Sequence, residues 1–211
     1  MSLLWTKFIG FIKKLIRQNP QFTKDLFSLG TASAITFLLI TPIGILAGRF
    51  LGPAEYGKYH LIYSIAQFFL VFMLFGLHAA FIQQYSQAKE FQKEKLKKAF
   101  FSLQILLVLL TSLFFLVLAP FLAKFFKVEK SIIFYAILFC ILLTLYNAVR
   151  AFLQAKKKFK RFALAELIRG AISLSFFGAL LVLFHLKNFL LPLIAFIVAV
   201  SYTHLTLPTK A

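Results

Sequence analysis

The sequence predicts an all-α integral membrane protein. Three observations carry that expectation. Of 211 residues, 61% are hydrophobic and only 14% are charged, with a mean hydropathy of +0.89. Soluble domains run near ~45–50% apolar and about 25% charged. Several apolar runs reach the ~20 residues that cross a bilayer as a helix. None alternates polar and apolar residues with period two, which argues against a barrel. This excludes an ordinary cytosolic enzyme, a disordered chain and a disulfide scaffold. Cys140 is the single cysteine and has no intramolecular partner.

The elements follow in chain order. In the first 18 residues Leu4, Phe8, Phe11, Ile12 and Leu15 recur at helical spacing, opposite Lys7, Lys13, Lys14 and Arg17. These residues read as a basic amphipathic helix lying in the membrane interface, or else as a solvated helix docked on the protein, within a cytoplasmic segment 1–24. About six spans follow, at 26–47, 61–82, 99–123, 131–149, 162–184 and 189–200, making one transmembrane lobe over 25–200. The sixth holds only about 12 residues, or roughly 18 Å, and is too short to cross. The segment 201–211, Ser-Tyr-Thr-His-Leu-Thr-Leu-Pro-Thr-Lys-Ala, resembles a translated sequencing-adapter read-through. It is expected to be a non-native tail on a fragment of a longer protein.

Charge sets orientation. Before the first span lie Lys7, Lys13, Lys14, Arg17 and Lys24. Between the second and third lie Lys89, Lys93, Lys95, Lys97 and Lys98. Between the fourth and fifth lie Arg150, Lys156, Lys157, Lys158, Lys160 and Arg161. These alternate gaps carry sixteen cations, and the other set carries six: Arg49, Lys58, Lys124, Lys127, Lys130 and Lys187. The asymmetry predicts a cytoplasmic N-terminus and a multi-pass protein of the inner (plasma) membrane. Topology and contact with anionic inner-leaflet lipids account for the net charge of +18 without nucleic acid.

Catalytic signals are nearly absent. There is no HExxH, phosphate-binding glycine loop, GxSxG or CxxC. No catalytic residue, cofactor or metal is expected. His60, His78, His185 and His204 lack metal-ligand spacing. His78 is expected near the end of the second span, as a packing residue or a proton relay. The main intramembrane charge is Glu166 with Arg169, one helical turn apart in the fifth span. A charge there costs at least ~2.5–3.5 kcal/mol, so it faces protein or water. The two either neutralise each other, or Arg169 faces a hydrated cavity and attracts an anionic substrate. Asn147, Gln67 and Gln104 could line such a cavity or bond between helices. The first span carries a GxxxG, Gly44 to Gly48, and Pro42, which predicts tight packing and a kink.

The connection after the first span is the most distinctive segment: Arg49-Phe50-Leu51-Gly52-Pro53-Ala54-Glu55-Tyr56-Gly57-Lys58-Tyr59. Gly52-Pro53 breaks the helix, and Gly57 permits a second tight turn. This segment resembles the corresponding connection of the polysaccharide-biosynthesis flippases, in the multidrug/oligosaccharidyl-lipid/polysaccharide exporter superfamily. The stretch RAFLQAKKKFKRFALAEL from Arg150 and the basic N-terminus are similar to that family as well. The resemblance covers roughly residues 22–200. It implies 12–14 helices in two lobes around a cationic cavity, of which this chain supplies the N-terminal lobe. It implies movement of a lipid-linked oligosaccharide to the outer leaflet by alternating access, without enzymatic chemistry. Arg49 and Arg169 are then the candidate cationic cavity residues, with Glu166, Asn147 and Gln67 beside them, and Gly52, Glu55 and Gly57 form the outer turn. Polysaccharide polymerases or glycosyltransferases are the implied protein partners. A cation-coupled multidrug exporter of the same superfamily would use Glu166, the carboxylate inside a span, while Asp25 sits at a boundary. A membrane glycosyltransferase would want a larger acidic outer loop. A non-transporting scaffold is the remaining reading.

Overall fold

The computed structural model describes residues 20–184 and 188–206. The expected interfacial helix over 1–18, His185, Lys187 and residues 207–211 lie outside them. Every described element is an α-helix: α1 (Pro20–Leu74), α2 (Leu77–Gln87), α3 (Glu90–Phe126), α4 (Lys130–Ala155), α5 (Phe159–Phe184) and α6 (Leu190–Thr206).

α1 is a hairpin of two helical arms. Its backbone leaves helical geometry at Gly52, with φ +79° and ψ 167°. A positive φ is open to glycine and costly for a residue with a Cβ. Pro53 then starts the second arm, where its missing N–H is no loss and its fixed φ suits a helix. The arms fold back on each other. A Cβ built on Gly48 would lie 3.5 Å from the Tyr56 ring, eight residues on. The apolar part of α1, Ser33–Leu74, has 42 residues. At 1.5 Å per residue that is about 63 Å, or two crossings of a ~30 Å core. The break expected at Gly52 is present, but the second turn at Gly57 is not. Gly57 stays helical, because one glycine followed by proline already reverses the chain.

The second expected span is also corrected. It is broken at Phe75 (φ +41°) and Gly76 (φ +72°), so residues 77–82 belong to the separate helix α2. His78 therefore sits on α2. Pro42 is accommodated inside α1 without a break in helical φ/ψ. α3, α4 and α5 cover the third to fifth spans with longer ends. α3, α4 and residues Phe159–Leu181 of α5 are each long and apolar enough to cross. The apolar part of the last helix, Leu190–Tyr202, is shorter. α6 runs through Thr206, so the first residues after 200 continue it.

Packing is graded across the bundle. Over half of α4's apolar window is buried (56%) against 17% for α3, so α4 is central and α3 lies at the edge of the bundle. Lipid tails are as apolar as leucine, so packing and close approach hold such helices together. Three clusters do this. The second arm of α1 packs on α3 and α4 through Ile62, Phe69, Met73, Phe115 and Ile133, with Phe69 and Phe115 stacked at 3.8 Å. The first arm packs on α5 and α6 through Ile43, Ala47, Phe177, Leu191 and Ala195. Phe81, Tyr85 and Phe100 join α2 and α3 to Ala148, Ala151 and Ala155 of α4. Gly170 lets α5 approach the first arm: a Cβ there would meet Leu39 at 3.2 Å.

Candidate functional site

Between the first two clusters the arms of α1 diverge from α4, α5 and α6 and leave a cavity of about 290 Å³. Its walls carry Ile40 and Ile43 from the first arm and Tyr59, Tyr63, Gln67 and Leu70 from the second. Phe139, Leu143, Tyr146, Asn147 and Arg150 come from α4. Arg169 and Ser173 come from α5, and Pro192 and Phe196 from α6.

The polar part is built from two helix faces. On α4, Tyr146 and Asn147 sit one turn from Arg150. On α5, Glu166 and Arg169 sit one turn apart. Where the helices meet, Glu166 is the hub. Its Oε2 accepts from Arg169 Nη2 at 2.9 Å, and its Oε1 accepts from the Tyr146 hydroxyl. Arg150 Nε lies 2.8 Å from the same Oε1, an ion pair by distance whose N–H is not aimed as a hydrogen bond. Arg150 Nη1 also reaches Asn147 Oδ1 at 3.4 Å, while Asn147 Nδ2 donates to the Leu143 carbonyl at 2.9 Å.

Burial decides how this cluster acts. Glu166 is 5% exposed and Arg169 8%, whereas the Arg150 side chain is 38% exposed. Two guanidinium groups and one carboxylate leave one net positive charge. A buried charge without a partner is costly, so Glu166 keeps Arg169 tolerable at membrane depth. Aromatic faces add to this: the Arg169 guanidinium lies 5.1 Å from the Tyr146 ring centroid and 5.4 Å from Phe196. Arg169 Nε nevertheless has no hydrogen-bond partner among the described residues, and neither does buried Ser173 Oγ. Both residues line the cavity, though these two atoms are themselves shut off from it; what the cavity receives is the net positive field of the cluster.

The structure brings Arg169, Asn147 and Gln67 to this cavity, with Glu166 bound behind Arg169. It does not bring Arg49, which is exposed on the first arm and absent from the lining. Gln104 is also elsewhere: it is buried and donates to the Met73 carbonyl at 2.9 Å, fastening α3 to α1. Gly52 and Glu55 lie in the turn between the arms. Glu55 does more than hold that turn, since its Oε2 accepts from the Phe189 backbone N–H at 3.0 Å. Arg150, Tyr146 and Ser173 are the residues that sequence reasoning missed. Tyr146 and Arg150 are spaced i, i+4, which places both on Asn147's side of α4. Among the described residues no three His, Cys, Asp or Glu side chains gather at one point.

Comparison with known proteins bears on this bundle directly. No curated protein and no solved structure matches the chain. A family model described as polysaccharide biosynthesis protein matches residues 45–204, or 160 of the 211. The match contains the Gly52 hinge, the whole Tyr146–Arg150–Glu166–Arg169 cluster and every cavity residue except Ile40 and Ile43. The chain is a membrane protein of the polysaccharide biosynthesis protein family.

Proposed function

We propose that the protein moves a lipid-linked oligosaccharide, joined through phosphate or diphosphate, from the inner to the outer leaflet by alternating access. No bond of the substrate is made or broken. The observation that carries this is the pair of guanidinium groups on the cavity wall: Arg169, buried and held by Glu166, and Arg150, whose side chain is 38% exposed, with a single carboxylate between them. A phosphate oxygen is a strong acceptor for such a group. About 290 Å³ is at the small end of ligand pockets, which run ~300–1,000 Å³. That suits a phosphate with one sugar, the lipid tail remaining in the bilayer. Tyr59, Tyr63, Tyr146 and Phe196 give the sugar apolar ring faces.

The asymmetry of the basic gaps supports a cytoplasmic N-terminus and a protein of the inner membrane. The family resemblance supports this bundle working as one lobe that rocks against a second, with polymerases or glycosyltransferases as partners. A cation-coupled exporter is less well supported, because Glu166 is already engaged by Arg169, Arg150 and Tyr146. Complementation of a flippase-deleted strain tests the reading, with the protein expressed from its complete genomic reading frame. Arg169→Ala should abolish most rescue, Arg169→Lys should keep part of it, and Arg49→Ala should keep it all. Full rescue by Arg169→Ala would refute it.

A further inference from the structure

A second cationic site lies at the basic end of the bundle, where α3 meets the α4–α5 turn over Phe152. Lys156 Nζ is 4.4 Å from the Phe152 ring centroid, and Lys97 Nζ approaches it from α3 at 5.9 Å. The turn is fixed by its backbone. Lys156 N–H donates to the Phe152 carbonyl at 3.1 Å, Lys157 N–H to Gln154 at 2.8 Å and Lys158 N–H to Leu153 at 3.1 Å. Lys157 takes a left-handed φ of +54°, and α5 then starts, with Phe162 N–H on the Lys158 carbonyl at 3.0 Å. Phe152 is braced by Tyr85 of α2 at 6.2 Å and Phe101 of α3 at 6.1 Å. Three helices therefore build one shelf.

The charges on the shelf do not balance. Glu94 is its carboxylate, 3.6 Å from Lys97 Nζ. Lys156, Lys158 and Arg161 form no ion pair among the described residues. The Lys156 ammonium is held below the ordinary lysine range, first by burial and then by repulsion from Lys158 and Lys97, with Arg161 adding and Glu94 opposing. Like charges gathered on a fixed turn are relieved by an anion with several acceptor oxygens. The surroundings say which anion. Three residues after Arg161, Leu164 is 53% exposed on α5, and six residues after Lys97, Leu103 is 48% exposed on α3. These give the same two helices exposed apolar surface within a few residues of the cations. A phosphate carrying acyl chains meets both features, and a free phosphate meets one.

We propose that Lys97 and Lys156, floored by Phe152, together with Lys158 and Arg161 of the adjoining turn and helix, form a binding site for the phosphate of an anionic phospholipid. This does not rest on the transport reading, because the site lies outside the cavity and needs no substrate movement.

Native mass spectrometry of the purified 211-residue chain tests it, with phosphatidylglycerol and phosphatidylcholine as probes. The wild type should retain phosphatidylglycerol preferentially. Each charge near a membrane surface is worth roughly fivefold in affinity. The triple variant Lys156→Gln/Lys158→Gln/Arg161→Gln should therefore weaken retention by about tenfold or more. Lys124→Gln/Lys127→Gln/Lys130→Gln removes equal charge at the other end and should leave retention within about twofold of wild type, since those cations lie beyond a Debye length. Single Lys156→Gln and Arg161→Gln variants, each expected to lose several-fold, decide the matter if the triple variant does not elute as a folded species. Equal loss in both triple variants, or no loss in the singles, would overturn the site. Displacement of the lipid by inorganic phosphate as readily as by added phosphatidylglycerol would overturn its lipid specificity.

Discussion

Glu55 accepts a hydrogen bond from the backbone N–H of Phe189 at 3.0 Å, joining the hairpin of α1 to the start of α6 across 134 residues of sequence. Its other oxygen accepts from Lys58 Nζ at 2.9 Å, and that ammonium lies 5.7 Å from the Phe189 ring centroid. Tyr135 of α4 meets the same ring at 5.7 Å. The Glu55 carboxylate thus fastens α1 to the start of α6, and the Phe189 ring joins α4 to them, at the end of the bundle where the arms of α1 turn. Tyr59 and Pro192, on the cavity wall, follow closely in sequence.

Glu55→Ala should lower the thermal midpoint in detergent by roughly 2–4 °C, the shift of one ~1 kcal/mol contact in a chain this size. Glu55→Gln keeps an acceptor for Phe189 and should recover most of it. Lys58→Ala removes an exposed ion pair and should cost less than Glu55→Ala. The order is measured by thermal unfolding, and Lys58→Ala matching Glu55→Ala would move the clasp from the backbone bond to the ion pair.

Gly52 carries the hairpin at φ +79°. No atom lies within 4 Å of a Cβ built there, so substitution is penalised by backbone conformation alone. Gly52→Ala should destabilise by about 1–3 kcal/mol, the cost of holding a residue with a Cβ in a positive-φ extended conformation that is essentially confined to glycine. Gly57→Ala, inside the second arm, should be neutral or stabilising, because alanine is the better helix former. Thermal unfolding of the two variants checks the pair, and the reverse ranking would place the hinge at Gly57.

Glu166 balances Arg169 and Arg150. Glu166→Gln leaves a buried guanidinium without its counter-charge and should cost about 3–5 kcal/mol. Glu166→Gln/Arg169→Gln removes both charges and should be less destabilised than Glu166→Gln alone. A double-mutant cycle by chemical denaturation measures the coupling. Additive losses would mean that the two residues do not act as a pair.

Orientation has its own test. Cysteines placed at Lys95 and Lys158, on a Cys140→Ser background, should be shielded from an impermeant thiol reagent in intact cells. Labelling from outside at either position would invert the topology.

Part of this site was legible in the sequence. Glu166 and Arg169 stood out because charges at i, i+3 inside an apolar run must meet each other or water. Gly52-Pro53 announced the hinge, because glycine permits the positive φ and proline restarts a helix. Arg150 was not legible as a site residue. It sits in a run of basic residues that topology explains, and only the packing of α4 on α5 brings it to Glu166. The break at Phe75–Gly76 was hidden for a related reason: residues 74–82 are mostly apolar, so composition continues where the backbone turns. Arg49 misled in the opposite direction, since its place in the distinctive turn segment says nothing about which way the first arm faces.

The most direct test of the transport claim is flipping in reconstituted vesicles. The protein, expressed from its complete genomic reading frame, would carry a fluorescent diphosphate-linked oligosaccharide lipid between leaflets. Arg169→Ala should slow transfer by about tenfold or more, the effect of losing a hydrogen bond to a charged group at ~1.5–3 kcal/mol. Arg49→Ala should transfer at the wild-type rate. A wild-type rate for Arg169→Ala would contradict the assignment of the cavity to the anionic headgroup.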